Sequence, residues 1–150
     1  MIQRIQSLYL FLSVLLFSAT YYFPFVSSNL FEIRSYGVKA LNDQTNLEVS
    51  TYYFIIPLAL AATISLVAIF LYKNRLRQMA VLRTTFILYA ISFALLALCI
   101  KDSQQFLTSA DEISLGFSFF APFVSLLLNL LALRAIRKDE KLVKSVDRIR

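Results

Sequence analysis

Four apolar blocks, each about 20 residues long, constrain this chain more than any other feature; they cover roughly residues 5–25, 52–72, 81–100 and 113–135. An uncharged run of about 18 or more residues reads as a membrane span, because some 20 helical residues cross roughly 30 Å of hydrocarbon. No Asp or Glu falls inside any of the four blocks. Glycine occurs only twice and proline three times in 150 residues, so the blocks read as continuous helix. A membrane barrel would instead alternate polar and apolar positions. Hydrophobic residues make up 59% of the chain, well above the roughly 45–50% of soluble domains. The expected class is therefore an all-α membrane protein, with residues 1–150 forming one domain. Its four transmembrane helices form an up-down-up-down bundle, with an external loop at 26–51 and an amphipathic tail at 136–150.

Local signals set the expected boundaries. The first block ends in Tyr21, Tyr22, Phe23 and Pro24, the composition of an interfacial aromatic belt. It is longer than the roughly 7–15 residues of a signal-peptide core, so it is expected to stay as a span. The second follows Ser50 and Thr51, either of which suits a helix cap, carries Pro57 in its opening turns and closes at Lys73 and Arg75. The fourth follows Ser109-x-x-Glu112, which has capping-box spacing, and Pro122 inside it predicts a kink.

Ala61, Ser65 and Ala68 in the second block and Ala90, Ala94 and Ala97 in the third form small-residue stripes that are expected to pack together. A connection of roughly ten residues makes those two helices antiparallel neighbours. Within the external loop, residues 31–38 partly alternate polar and apolar, which suggests a short strand or hairpin, and 42–46 carry a turn signal. An ordered cap and a plain linker both remain open for this loop.

Orientation follows from the distribution of Lys and Arg. One side of the blocks collects Arg4, Lys73, Arg75, Arg77, Arg83, Arg134, Arg137, Lys138, Lys141, Lys144, Arg148 and Arg150, and the other only Arg34, Lys39 and Lys101. Both termini are therefore expected on the cytoplasmic side of a bacterial inner membrane. The net charge of +6 reflects the same bias, and no nucleic-acid partner is expected. In the tail, Leu142, Val143, Val146 and Ile149 fall at helical spacing, so the segment is expected to extend the fourth helix and lie on an anionic leaflet. A docking face for a cytoplasmic partner is the alternative.

The residues that carry chemistry are scarce. There is no histidine, Cys99 is the only cysteine, and no glycine-rich phosphate loop or internal repeat occurs. No catalytic, metal or cofactor set can be assembled, and no enzyme is expected. The spans also lack the acids that mark proton relays and ion pathways. Asn129 is the one carboxamide within a span and is expected to bond across helices. Tyr89, Phe117, Phe119, Phe120 and Phe123 read as core or lipid-facing filler.

Three segments carry a resemblance: Met1-Ile2-Gln3-Arg4-Ile5-Gln6, the connector at 72–78 (YKNRLRQ) and the ending at 142–150 (LVKSVDRIR). Together they resemble a Bacteroidota family of four-helix membrane proteins of unknown function, over essentially the whole chain. The resemblance implies fold, length and an inner-membrane location, and no catalytic residue. Under the expected topology all three segments meet the cytoplasmic face, where Gln3, Arg4, Gln6, Arg75, Arg77, Asp147 and Arg148 are candidates for a polar cluster, Asp147 pairing one of the arginines.

The function expected by elimination is a non-enzymatic subunit or scaffold. Its partners are the lipid bilayer together with a membrane or cytoplasmic protein or further copies of itself. The alternative is a small transporter or lipid-handling protein acting as an oligomer, which a polar cavity around Asn129, Ser125, Ser92 and Thr63 would favour.

Overall fold

The first helix, α1 (Ile2–Ala19), stops just before the aromatic run Tyr21–Phe23, about six residues short of the end expected near residue 25. The amides of Thr20, Tyr21 and Tyr22 bond three residues back, to Phe17, Ser18 and Ala19, which tightens the last turn. Pro24 then disfavours a helical Phe23, and the Phe25 amide leaves the helix register to bond the Ile33 carbonyl at 2.8 Å. The computed structural model describes residues 2–28, 31–40, 46–47, 51–102 and 113–147, with the side chains of 2–4, 40, 46–47, 102, 113, 144, 146 and 147 outside that description.

Beyond α1 come strands β1 (Val26–Ser28), β2 (Phe31–Arg34), β3 (Gly37–Ala40) and β4 (Asn46–Leu47). Helix α2 (Tyr52–Phe70) leads through a 3-10 turn (Leu71–Lys73) into α3 (Arg75–Asp102), and strand β5 (Ile113–Leu115) precedes α4 (Phe117–Asp147). Helices α2, α3 and α4 are long and apolar enough to cross a membrane. The apolar part of α1, Ile5–Ala19, is shorter.

The described residues of the loop after α1 form a β-sheet cap. Its strands join β5 in one antiparallel sheet of order β4-β3-β2-β1-β5, with Val26 opposite both Ile33 and Leu115. Alternation works as the pleat requires: Phe31, Ile33 and Val38 turn inward, while Glu32, Arg34 and Lys39 stay toward water. Ser35 and Tyr36 form the β2–β3 turn with negative φ, and Gly37 takes the positive φ of 147° that closes it. Thr51 does not cap α2 with its side chain; its hydroxyl instead donates to the Ser35 carbonyl at 3.1 Å and ties the helix start to this turn. Ser50 lies outside the described residues.

Two helix starts differ from expectation, each for a local reason. Helix α3 begins at Arg75 rather than near 81, because Asn74 Oδ1 accepts from the Arg77 amide at 3.2 Å and Gln78 Nε2 donates to the Ala68 carbonyl at 2.9 Å. The connection from the 3-10 turn into α3 is thus Asn74 alone, not ten residues. Helix α4 begins at Phe117 rather than 113, since residues 113–115 pair with β1. The expected capping pair Ser109 and Glu112 falls outside the described residues. From Phe117 the helix runs through Pro122 to Asp147, about 46 Å at 1.5 Å per residue, so residues 136–147 of the expected tail extend the fourth helix.

The helices pack in the cyclic order α1–α2–α3–α4, most extensively α1 on α4 and α2 on α3. Ala61, Ser65 and Ala68 are buried as the small-residue reading requires, but Ala90, Ala94 and Ala97 are exposed. The face of α3 that turns inward is Leu82, Thr85, Tyr89, Ser92, Leu96 and Cys99, which is larger and more polar. Two apolar cores result. One joins Phe25, Val26, Phe31, Ile33 and Val38 of the cap to Phe54, Leu58 and Leu96, with the Phe25 and Phe54 rings edge-on at 5.1 Å. The other, toward the opposite end, gathers Leu10, Ala68, Met79, Leu82, Leu133 and Ile136.

Gly116 sits where α4 meets the end of α1: its amide bonds the Phe25 carbonyl at 3.0 Å, and a Cβ there would run into the Pro24 carbonyl. Gly116→Ala is therefore expected to cost about 1–3 kcal/mol through overpacking against backbone. Gly37→Ala, with open space around it, is expected to cost only the roughly 1–2 kcal/mol of a left-handed backbone. Thermal unfolding of both variants in mild detergent checks this, and a Gly116→Ala protein as stable as wild type contradicts the packing described.

Candidate functional site

Between the two apolar cores lies a polar layer contributed by all four helices. Asn129 of α4, fully buried, accepts at Oδ1 from Ser65 Oγ of α2 and donates from Nδ2 to the Tyr89 hydroxyl of α3, both at 3.3 Å. Ser125, one turn before Asn129, donates to the Ser13 carbonyl of α1 at 3.3 Å. Ser92 donates to the Phe54 carbonyl at 2.8 Å. Asn129 is thus the interhelical contact expected of it. Tyr89, read from sequence as filler, is its partner. The signal for that pairing is the hydroxyl of a tyrosine in mid-span, which must find a partner where water is excluded.

Asn129, Ser125 and Ser92 are each bonded to protein groups, and Thr63 is exposed, its hydroxyl turned back to the Ala59 carbonyl at 2.8 Å. Phe117, Phe120 and Phe123 are exposed on the outside of α4, and Phe93 stacks on Phe123 at 4.2 Å.

At the end away from the sheet, a second polar group forms around Asp139 of α4. Gln6 Nε2 of α1 donates to its Oδ2 at 3.3 Å, and Arg75 Nη2 of α3 stands 3.7 Å from the same oxygen. Asp139 and Gln6 are both buried, whereas a quarter of the Arg75 side chain remains exposed, so the ion pair itself contributes little and the buried hydrogen bond more. Two of the candidate cluster residues, Gln6 and Arg75, are therefore brought together, by an acid that the sequence reading passed over. Its signal is periodic: Ala132, Leu133 and Ile136 are the buried stripe of α4, and Asp139 is the next position on it.

Arg77 is exposed one turn into α3. Gln3, Arg4 and Asp147 lie in helices with side chains outside the described residues, and Arg148 lies outside them altogether.

Around this end are two open clefts lined in part by charged side chains. One of about 480 Å³ is lined by Tyr72, Lys73, Asn74, Arg75, Leu76 and Glu140. The other, of about 260 Å³, is lined by Arg134, Arg137, Lys138 and Lys141 on one face of α4. In the cap, Arg34 bonds Glu32 at 2.7 Å and the Tyr22 carbonyl at 3.2 Å, and the Glu32 carboxylate raises its pKa above the ordinary value. Among the described residues no group of three or more His, Cys, Asp or Glu gathers as a metal site would need.

Helices apolar enough to cross a membrane, with a small sheet over one end and charge gathered at the other, define the class as a predominantly helical membrane protein. The chain belongs to the family described as a domain of unknown function, DUF4293, whose model matches residues 2–149. No curated protein and no solved structure was found to match it.

If Asn129 holds α2 and α3 against α4, Asn129→Ala and Tyr89→Phe are expected to be coupled by about 0.6 kcal/mol in a double-mutant cycle, the usual size inside membranes. Additive effects would separate the two side chains. Asp139→Ala is expected to lower stability by about 1–3 kcal/mol, since it leaves the buried Gln6 amide without its acceptor. Asp139→Asn, which keeps an acceptor oxygen, is expected to cost less, and unfolding curves of the two variants read the difference.

Proposed function

We propose that this protein is a non-enzymatic subunit or scaffold of a membrane assembly. It would be a four-span bundle in a bacterial inner membrane with both termini in the cytoplasm. The observation that carries this reading is the closed polar layer: the interior hydroxyls and the Asn129 carboxamide bond one another or main-chain carbonyls. An interior that is spent on holding helices together leaves the outer surfaces to act. A transport pathway, whether in one chain or in an oligomer, finds less support, because its expected polar lining is engaged within the chain.

The fourth span in this reading is α1, which packs along α4 and α2 although its apolar stretch is the shortest. The orientation rests on twelve Lys and Arg residues at one end against three at the other. It puts the sheet on the side of that membrane away from the cytoplasm and the basic face of α4, Arg134 to Lys141, in the cytoplasm, where a negatively charged protein surface or the bilayer itself would meet it.

Crosslinking in native membranes followed by mild detergent extraction and mass spectrometry tests the subunit reading. The expected result is a stoichiometric partner, or further copies of the chain, with crosslinks mapping to the helix faces or to residues 134–141; recovery of the monomeric bait alone overturns it. A reporter active only outside the cytoplasm, fused after Arg150, is expected to be silent. Activity there reverses the orientation.

A further inference from the structure

Along α4, Phe120, Val124, Leu127 and Leu131 follow one another at alternating steps of four and three residues, which sets them in one stripe on the helix. The same steps continue without a break into Arg134, Lys138 and Lys141. Every residue of this stripe is exposed. Arg137, a helical neighbour of both Arg134 and Lys141, is exposed beside it and completes the cleft of about 260 Å³ that the four cations line. Among the described residues none of the four is in an ion pair. The two acids between them in sequence are directed elsewhere: Asp139 meets Gln6 and Arg75, and Glu140 lines the other cleft with Lys73 and Arg75. The charge of the patch is left for something outside the chain to balance.

Depth decides what that is. Residues 117–133 carry no charge and rise about 26 Å as a helix, less than the roughly 30 Å of hydrocarbon in a bilayer. Arg134 therefore stands at the edge of the hydrocarbon, with Lys141 about 10 Å further along the helix. The headgroup layer is some 5–7 Å deep on each side, so Arg134, Arg137 and Lys138 fall within it. A soluble acidic protein would have to enter that layer to reach them, and it would leave the apolar part of the stripe uncovered. A phospholipid covers both parts, its acyl chain on the apolar residues and its phosphate on the cations, where each guanidinium can hold two phosphate oxygens at once. One phosphodiester brings a single negative charge to four positive ones. We propose that this face of α4 is a site for a phospholipid whose headgroup carries two phosphates, one held by Arg134 and Lys138 and the other by Arg137 and Lys141, with an acyl chain along Leu131, Leu127 and Val124. The site rests on α4 being a span, as in the reading above, and requires neither a protein partner nor a particular orientation.

The test uses the full chain in detergent micelles with two added lipids of equal acyl chains, diphosphatidylglycerol with two phosphates and phosphatidylglycerol with one, supplied at equal total phosphate. Native mass spectrometry counts the lipid retained. Wild type is expected to retain the two-phosphate lipid several-fold more than the other. A cation at an anionic lipid surface is worth roughly fivefold in binding, so Arg134→Gln with Lys138→Gln is expected to lower retention of the two-phosphate lipid about 25-fold. Lys73→Gln with Arg77→Gln removes the same charge from exposed positions outside the stripe at the same end of the molecule, and is expected to leave retention unchanged. Since all four substituted side chains are exposed, both double variants are expected to melt as wild type does, which shows that they are folded. Excess inorganic pyrophosphate is expected not to displace the lipid, because it has no chain for the apolar part of the stripe. Equal retention of the two lipids by wild type, an equal loss from both double variants, or displacement by pyrophosphate overturns the proposal. So does a polyglutamate peptide that binds wild type in phosphatidylcholine vesicles but not the Arg134→Gln, Lys138→Gln variant, an outcome that assigns the patch to an acidic protein. Retention of neither lipid overturns the site and counts against α4 as a span as well. The other failures leave the subunit reading standing, because it is tested by partner recovery alone.

Discussion

Hydrocarbon offers no hydrogen bonds, and that single constraint decides how the polar residues of α2, α3 and α4 are used. Any polar group placed along a span must be satisfied by the chain itself. The hydroxyls solve this cheaply by bonding back along their own helix, as Ser65 does to the Ala61 carbonyl, Thr85 to Leu82 and Ser13 to Leu10. A carboxamide has more donors and acceptors than its own turn can absorb. Asn129 therefore has to reach α2 and α3, and in doing so it sets the depth at which the three helices align. The apolar cores above and below can then repack in many ways without changing register. The polar layer cannot.

The two ends of the helix assembly are held by different chemistry. At the sheet end the restraints are largely main-chain: the Phe25 amide to Ile33, the Gly116 amide to the Phe25 carbonyl, and Ser118 Oγ to the Phe23 carbonyl at 2.6 Å. These groups are short and directional, and they leave little freedom between α1 and α4. At the other end long side chains do the work, Gln6 and Arg75 reaching to Asp139. Such contacts tolerate small shifts of the helices, so this end is the more adjustable of the two.

How much of this was legible in the sequence depended on whether a signal was local or distant. The alternating Phe31, Ile33 and Val38 and the mid-span Asn129 announce themselves through period and chemistry, and all are buried, while three of the four apolar blocks give helices long and apolar enough to cross a membrane. The boundaries were harder, because they are set by competition. Residues 113–115 are apolar enough for a helix, yet they extend to pair with β1, nearly 90 positions away, and no local pattern encodes that choice. The stripe Ala90, Ala94 and Ala97 misled for the opposite reason: small residues allow close approach but do not require it, and α3 turns its larger polar face inward. Asp139 was hidden among the charges around it until the buried period of α4 singled it out.

The pairing of β1 with β5 bears on the order in which the molecule is made. Strand β1 has β2 on one side as soon as residue 34 is available, but its other edge has no partner until residues 113–115 have been synthesised. By then α2 and α3 have already been synthesised. While the roughly 80 residues from 34 to 113 are being made, the chain carries an open strand edge, a template for pairing with any extended segment nearby. Closure of the sheet is thus the late, long-range event of assembly, and the burial of that edge separates a finished molecule from one still able to join the wrong neighbour.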